Sequence, residues 1–233
     1  LGAFAYVERQ SRFALHDCQT TAKRSDNGFT LNGEKVVVFN GEAADQLVVL
    51  ARTAGEQSDR EGLSLFVVDA AAAGVDKMSY PMMDGQRVAN ITFSDVALGA
   101  DALLGEEGNA LSVVDALTDE AIIALASEAV GIMGVLNAKT LEYTKTREQF
   151  GVAIGSYQAL QHRMVDILIN CEEARSMAYV ATAMMDSDDA AERARSVAAA
   201  KAQIGKSARF VGQNSVQMHG GMGMTDELKI GHY

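Results

Sequence analysis

Thr144-Lys145-Thr146-Arg147-Glu148-Gln149-Phe150-Gly151 closes a long stretch of helical periodicity, and the chain organises itself on either side of it. Upstream, from Asn109 to Thr146, apolar residues such as Leu111, Val114, Leu117, Ile122 and Leu125 recur at three- and four-residue spacing, the pattern of an amphipathic helix. Gly151 to Gly155 is a break. Beyond it, Ser156 is placed to cap a second helix running to about Asp186, and Asp188 or Asp189 to cap a third. The alanine-rich course of that third helix ends at Gly220-Gly221. Three helices of this length cannot bury their apolar faces alone, so a bundle is expected, packed further against other subunits. Met177, Met184 and Met185 read as core filling.

Before Gly108 the period changes. Gly28-Phe29-Thr30-Leu31-Asn32-Gly33-Glu34-Lys35 sets Asn-Gly between two apolar runs, a hairpin signal because both turn residues need positive φ. Val36 to Phe39 suits a largely buried strand. Gln46–Arg52, Leu63–Val68 and Val88–Phe93 are further strands, joined by polar or small connectors, and Pro81, the single proline, falls in a loop. Strands that recur without long intervening helices favour an antiparallel barrel or sandwich. The fold class is therefore α+β. An antiparallel β-barrel or sandwich domain over residues 1–107 is followed by an antiparallel helical bundle over 108–233.

Bulk properties narrow the function. The 233 residues carry a net charge of -11, with nine basic against sixteen acidic residues over 1–107 and eleven against fifteen over 108–233. No basic stripe exists, which argues against a nucleic-acid partner; an anionic ligand would need a local site of arginines and helix N-termini. Cys18 and Cys171 form no disulfide framework and read as thiols in a reducing compartment. No apolar run is read as long enough to span a membrane, and no signal peptide is visible. The chain begins at Leu1 and not at Met, so the expectation is either a fragment or a missing earlier segment. His16, His162, His219 and His232 are scattered, and no metal-ligand spacing occurs. Gly220-Gly221-Met222-Gly223 ends a helix instead of opening one after a strand, so it is not the dinucleotide fingerprint.

Taken in order, Arg147-x-x-Phe150-Gly151, then Gln158, then Gln217-Met218-His219-Gly220-Gly221-Met222-Gly223 resemble the C-terminal domain of the acyl-CoA dehydrogenase family. Leu31-Asn32-Gly33-Glu34-Lys35, Asn40-Gly41, Ala44-Asp45 and Val48–Arg52, with Thr20-Thr21-Ala22 before them, resemble its middle domain. The likeness covers essentially the whole chain. It implies FAD as cofactor and an acyl-CoA thioester as substrate. The double bond forms as a carboxylate takes the α proton and flavin N5 takes a hydride from the β carbon. Arg147 would pair with the FAD pyrophosphate across a subunit interface, and Phe150 would pack by the adenosine. Gln158, Gln217, Gly220 and Gly221 would meet the same cofactor. A homo- or hetero-oligomer (a dimer of dimers), an electron acceptor such as electron-transfer flavoprotein and a bacterial cytoplasm are implied with it. The family's N-terminal helical domain would lie before Leu1.

The departures from the pattern are specific. Where the family has Thr-Glu-Pro and Gly-Ser-Asp, this chain has Val7-Glu8-Arg9-Gln10-Ser11-Arg12-Phe13-Ala14. Arg9 and Arg12 there either meet phosphates or face solvent. Val37 and Phe39 stand where an aromatic and a hydroxyl residue usually flank the flavin. The usual base lies beyond Tyr233; some members of the family instead place a Glu on the first helix of this domain. Asp119-Glu120 lies within about one residue of that place, so the resemblance implies Glu120 as the candidate catalytic carboxylate. Two alternatives stay open: a catalytically inactive structural subunit of a heteromeric acyl-CoA dehydrogenase, or a flavin oxidase or monooxygenase on the same fold.

Overall fold

A computed structural model describes residues 1–233, which form two compact units, Leu1–Ala116 and Leu117–Tyr233. The first holds β1 (Gly2–Ala5), β2 (Thr21–Ser25), β3 (Gly28–Phe39), β4 (Gln46–Arg52), β5 (Leu63–Asp69), β6 (Val75–Pro81), β7 (Arg87–Gly99) and β8 (Leu103–Leu104). They make one eight-stranded sheet in the order β6-β7-β3-β2-β4-β5-β8, with β1 pairing β4 in parallel. Most other pairs are antiparallel. Phe29, Leu31, Leu47, Val49, Phe66, Ile91 and Phe93 fill its core. Phe29 and Phe66 meet edge-on with centroids 4.9 Å apart, an arrangement aromatic quadrupoles favour.

Three β expectations are corrected. Asn32-Gly33 is not a turn: β3 runs straight through it, and the β2–β3 hairpin turns at Asp26-Asn27 instead, with Ser25 opposite Gly28. Asn32-Gly33 is the site of a register shift against β7. The Asn32 amide grips Asp95 twice, donating to its carboxylate at 3.0 Å and accepting from its N–H at 2.9 Å. Gly33 has φ +147°, and a Cβ there would lie 2.6 Å from the Cα of Thr20. The glycine therefore serves a bulge and a close backbone approach. Secondly, the run Val36 to Phe39 is buried on one face only, because Val36 and Val38 point inward while Val37 and Phe39 are exposed. Val37 sits at φ +53° beside a second register shift, where the Asn90 side chain accepts its N–H. Thirdly, Pro81 is the last residue of β6, opposite Arg87, an end position where the missing N–H costs no internal ladder bond.

The helices are α1 (Leu111–Thr146), α2 (Gln158–Met184) and α3 (Ala190–His219), with the two-residue strands β9 (Glu148–Gln149) and β10 (Val152–Ala153) between α1 and α2. In the second unit Met133 and Leu136 of α1 pack with Ile167 and Cys171 of α2 and with Val197, Ile204 and Val211 of α3. Ala174, Ala178, Ala181 and Ala200 are buried in the same cluster, small side chains that let helix axes come close. Asp189 caps α3 by accepting from the N–H groups of Ala191 and Glu192. The cap of α2, however, is Tyr157; the Ser156 hydroxyl donates to the Ala153 carbonyl and so leaves the helix N–H groups alone.

α1 corrects a further expectation. It contains a stretch long and apolar enough, by length and composition, to cross a membrane. Between Glu120 and Lys139 the only charge is Glu128. Alanine and glycine occupy much of the rest, so the apolar character wraps round the helix instead of keeping to one stripe.

Candidate anion-binding cavity at the ends of α1 and α3

The opening motif folds into a small device at the end of α1. The Arg147 N–H donates to Tyr143 O at 2.8 Å, the last helical bond, and Arg147 O accepts from Ile154 N at 2.8 Å. Between those two bonds β9 and β10 pair through Gln149–Val152 and Glu148–Ala153. The turn residues Phe150 and Gly151 have φ +57° and +81°, as a two-residue hairpin loop demands. Arg147 is thus pinned on both sides of its backbone, and its guanidinium is projected from a defined place.

That guanidinium lines a cavity of about 740 Å³ with Tyr143, Arg163, Gln217, His219, Gly220 and Gly221. His219 is buried; its Nδ1 lies 2.8 Å from Ser215 O, so that nitrogen carries the proton. The Tyr143 ring lies against it at 4.3 Å. Arg163 donates to Asn214 Oδ1 at 3.2 Å. The chain has 31 acidic residues, and none lines this cavity. Like the motif order, this composition suits an anion.

The glycines divide by physical need. Gly220 has φ +60° and ψ -140°, a conformation essentially reserved for glycine, and it ends α3. A Cβ on Gly223 would lie 2.5 Å from Val216 O, so that residue is glycine for internal packing. A Cβ on Gly221 would meet nothing within 4 Å. The chain's own packing places no demand on Gly221, and its bare backbone opens on the cavity, where a group bound there could approach it closely.

Of the sequence candidates, Arg147, Gln217, Gly220 and Gly221 meet here. Phe150 stands at the hairpin tip, 93 % exposed, its ring 6.5 Å from and edge-on to Tyr157. Gln158 is the first residue of α2, exposed and not among the cavity walls. Glu120 is exposed on α1, 27 positions before Arg147, or about 40 Å along a helix rising 1.5 Å per residue. Its neighbour Asp119 pairs with Arg193 at 3.4 Å. Sequence reading missed Tyr143, Arg163 and His219 as cavity walls. The first lies one helical turn before Arg147, the second five residues after Gln158, and the third inside the Gln-Met-His-Gly-Gly run, which is the signal that could have found them.

The first unit carries a different polar cluster. Glu8 and Lys35, both buried, form an ion pair at 2.6 Å. Glu8 also accepts from the backbone N–H groups of Gln19 at 2.7 Å and Thr20 at 3.0 Å, and from Gln10 at 2.7 Å. Burial pushes the Glu8 carboxyl up, but the Lys35 charge and these hydrogen bonds outweigh it, bringing it from 4.5 to about 2. Burial raises the Cys18 thiol beside it to about 11, so it stays protonated and unreactive. Of the two loop arginines, Arg9 lies in an exposed pair with Glu34 at 3.0 Å.

Profiles of two domains match this chain: acyl-CoA dehydrogenase, C-terminal domain, over residues 111–233, and acyl-CoA dehydrogenase, middle domain, over 3–96. The chain belongs to the acyl-CoA dehydrogenase family. A short-chain specific acyl-CoA dehydrogenase of Megasphaera elsdenii is 29% identical over 100% of this chain and 61% of its own length. A chain from a structure of the electron transferring flavoprotein of Acidaminococcus fermentans superposes with a TM-score of 0.89 at 31% identity, covering 99% of this chain and 60% of that one. The structure described as PigA with FAD and proline superposes with a TM-score of 0.91 at 29% identity, covering 98% and 60%. This chain therefore spans about three-fifths of the length of these relatives.

Proposed function

We propose that this chain is a subunit of an FAD-dependent acyl-CoA dehydrogenase that desaturates an acyl-CoA thioester between its α and β carbons and passes the electrons to an electron-transfer flavoprotein. The observation that supports this most is the meeting of Arg147, Gln217, Gly220 and Gly221 in one cavity that no acidic residue lines. FAD, when bound, supplies the hydride acceptor. The Arg147 guanidinium offers paired donors to its pyrophosphate, and the open backbone at Gly221 lets the phosphates come close. Glu120 takes the α proton. About 40 Å separates it from Arg147, more than one dinucleotide spans. Arg147 of one subunit and Glu120 of another would therefore serve the same FAD, which makes the site a property of the oligomer.

A second reading is that the chain is the partner-type subunit of a heteromeric assembly, lending Arg147 to a flavin held mainly by another chain. Val37 and Phe39 favour it, because they are exposed apolar side chains where the family pattern has an aromatic and a hydroxyl residue beside the flavin. One experiment on the full-length protein, alone and with a co-expressed partner, tests both readings. Bound flavin is followed by its visible absorption, and acyl-CoA should bleach it. Arg147→Gln should lower flavin retention roughly tenfold or more. Glu120→Gln should keep the flavin but stop the bleaching if this chain is catalytic, and leave bleaching unchanged if it is the partner type. Colourless wild-type protein in both preparations refutes the proposal.

A further inference from the structure

The cavity holds a second arginine that the motif pattern does not include. Six arginines of this chain pair with carboxylates: Arg9, Arg24, Arg60, Arg87, Arg175 and Arg193. Arg52 is satisfied by backbone carbonyls. Arg12, Arg147, Arg163, Arg195 and Arg209 have no carboxylate partner, and of these five only Arg147 and Arg163 line this cavity, which has no carboxylate in its walls. An anion bound in that cavity would therefore find two guanidiniums on its walls and no competing carboxylate.

How Arg163 is held points the same way. Its side-chain partner is Asn214 Oδ1, a neutral acceptor. The other end of that amide is committed, since Asn214 Nδ2 donates to Phe210 O at 2.9 Å on α3. The amide is therefore oriented by its own helix and must present oxygen, not nitrogen, to Arg163. A carboxylate in the same place would orient the guanidinium and also cancel its charge. An amide orients it with one N–H and leaves the charge and the remaining donors for something else.

We propose that Arg163, oriented by Asn214, is a second phosphate-binding cation, so that the cavity takes a nucleoside diphosphate, the ADP half of FAD, through both of its phosphates. This rests on the reading that Arg147 takes the cofactor's pyrophosphate. Arg163 touches the ligand; Asn214 acts through Arg163 and is a positioning residue.

The test is calorimetric titration of flavin-free, full-length protein with ADP, AMP and adenosine. Wild-type protein should prefer ADP to AMP and AMP to adenosine. Arg163→Gln should weaken ADP roughly tenfold or more while changing AMP less, which collapses the ADP-over-AMP preference. Arg163→Lys should recover part of it through charge alone. Asn214→Leu should reproduce the loss of preference, although it removes no group that touches ADP. Arg163 and Arg147 are exposed, and glutamine is a good helix former, so both glutamine variants should fold, as circular dichroism would check. If Arg147→Gln loses ADP while Arg163→Gln binds ADP and AMP as wild type does, the second cation is refuted and the cofactor reading stands. If neither variant loses ADP, or the wild type does not bind it, both are overturned.

Discussion

Replacing Lys35 with methionine should destabilise the β unit strongly at neutral pH and much less in acid. The Lys35 ammonium is fully buried and lies 2.6 Å from Glu8 Oε1, in a carboxylate that is itself nearly inaccessible. Methionine fills similar volume but leaves the carboxylate without its cation. Removing one partner of a buried pair costs about 3–5 kcal/mol. The net depression of the Glu8 carboxyl, to which the Gln10 and Thr20 hydrogen bonds add, gives a second figure of the same order. Its fall from 4.5 to about 2 corresponds to about 3 kcal/mol of stability above pH 4.5. The sign follows from the direction: a depressed carboxyl stabilises the fold above its unfolded value, and that stability is lost as the pH falls toward 2. By pH 3 the wild type should have lost about 2 kcal/mol of it. In Lys35→Met the carboxyl can neutralise as the pH falls, so the difference between the two proteins should be about 3 kcal/mol at pH 7 and shrink to about 1 kcal/mol near pH 3. Urea unfolding followed by circular dichroism at both pH values measures this. A difference that is equal at the two values, or below about 1 kcal/mol at pH 7, refutes the argument that the pair holds this site as an ionised couple.

Two further predictions concern backbone. Gly33→Ala should cost about 3–5 kcal/mol, since its Cβ would strike the Cα of Thr20 in addition to adopting a positive φ. Gly85→Ala, also at positive φ but with nothing within 4 Å, should cost only about 1–2 kcal/mol; equal shifts in a melting experiment would show that close approach is not the reason for Gly33. Asp189→Ala should cost about 1 kcal/mol by removing an acceptor from two N–H groups of α3. Ser156→Ala should be near neutral, because its hydroxyl caps nothing; denaturation midpoints of the two variants separate these outcomes.

Element type was legible because it is set locally. The three- and four-residue spacing from Leu111 onward needs no distant partner to declare a helix, and Asp189 caps α3 with its own side chain two and three residues ahead. The ordered run from Arg147 to Gly223 was legible for the same reason, as a series of short motifs. What the local signal could not carry was what each motif meets. Asn32-Gly33 has the composition of a turn, and only the close backbone of Thr20 and the carboxylate of Asp95, 63 positions away, make it a bulge inside β3. The hydroxyl of Ser156 looked like a cap until the chain beside it offered Ala153 O.

The sequence by itself determined an α+β chain of this family, with an arginine ending its first long helix and glycines ending its third. The tertiary structure alone decided that Arg163 and Asn214, 51 positions apart, meet beside Arg147. Apolar periodicity tells a helix which side to bury. The rotation and crossing of α1, α2 and α3 about their shared core then select the polar residues that converge on one cavity, and that selection is made by packing between segments far apart in the chain.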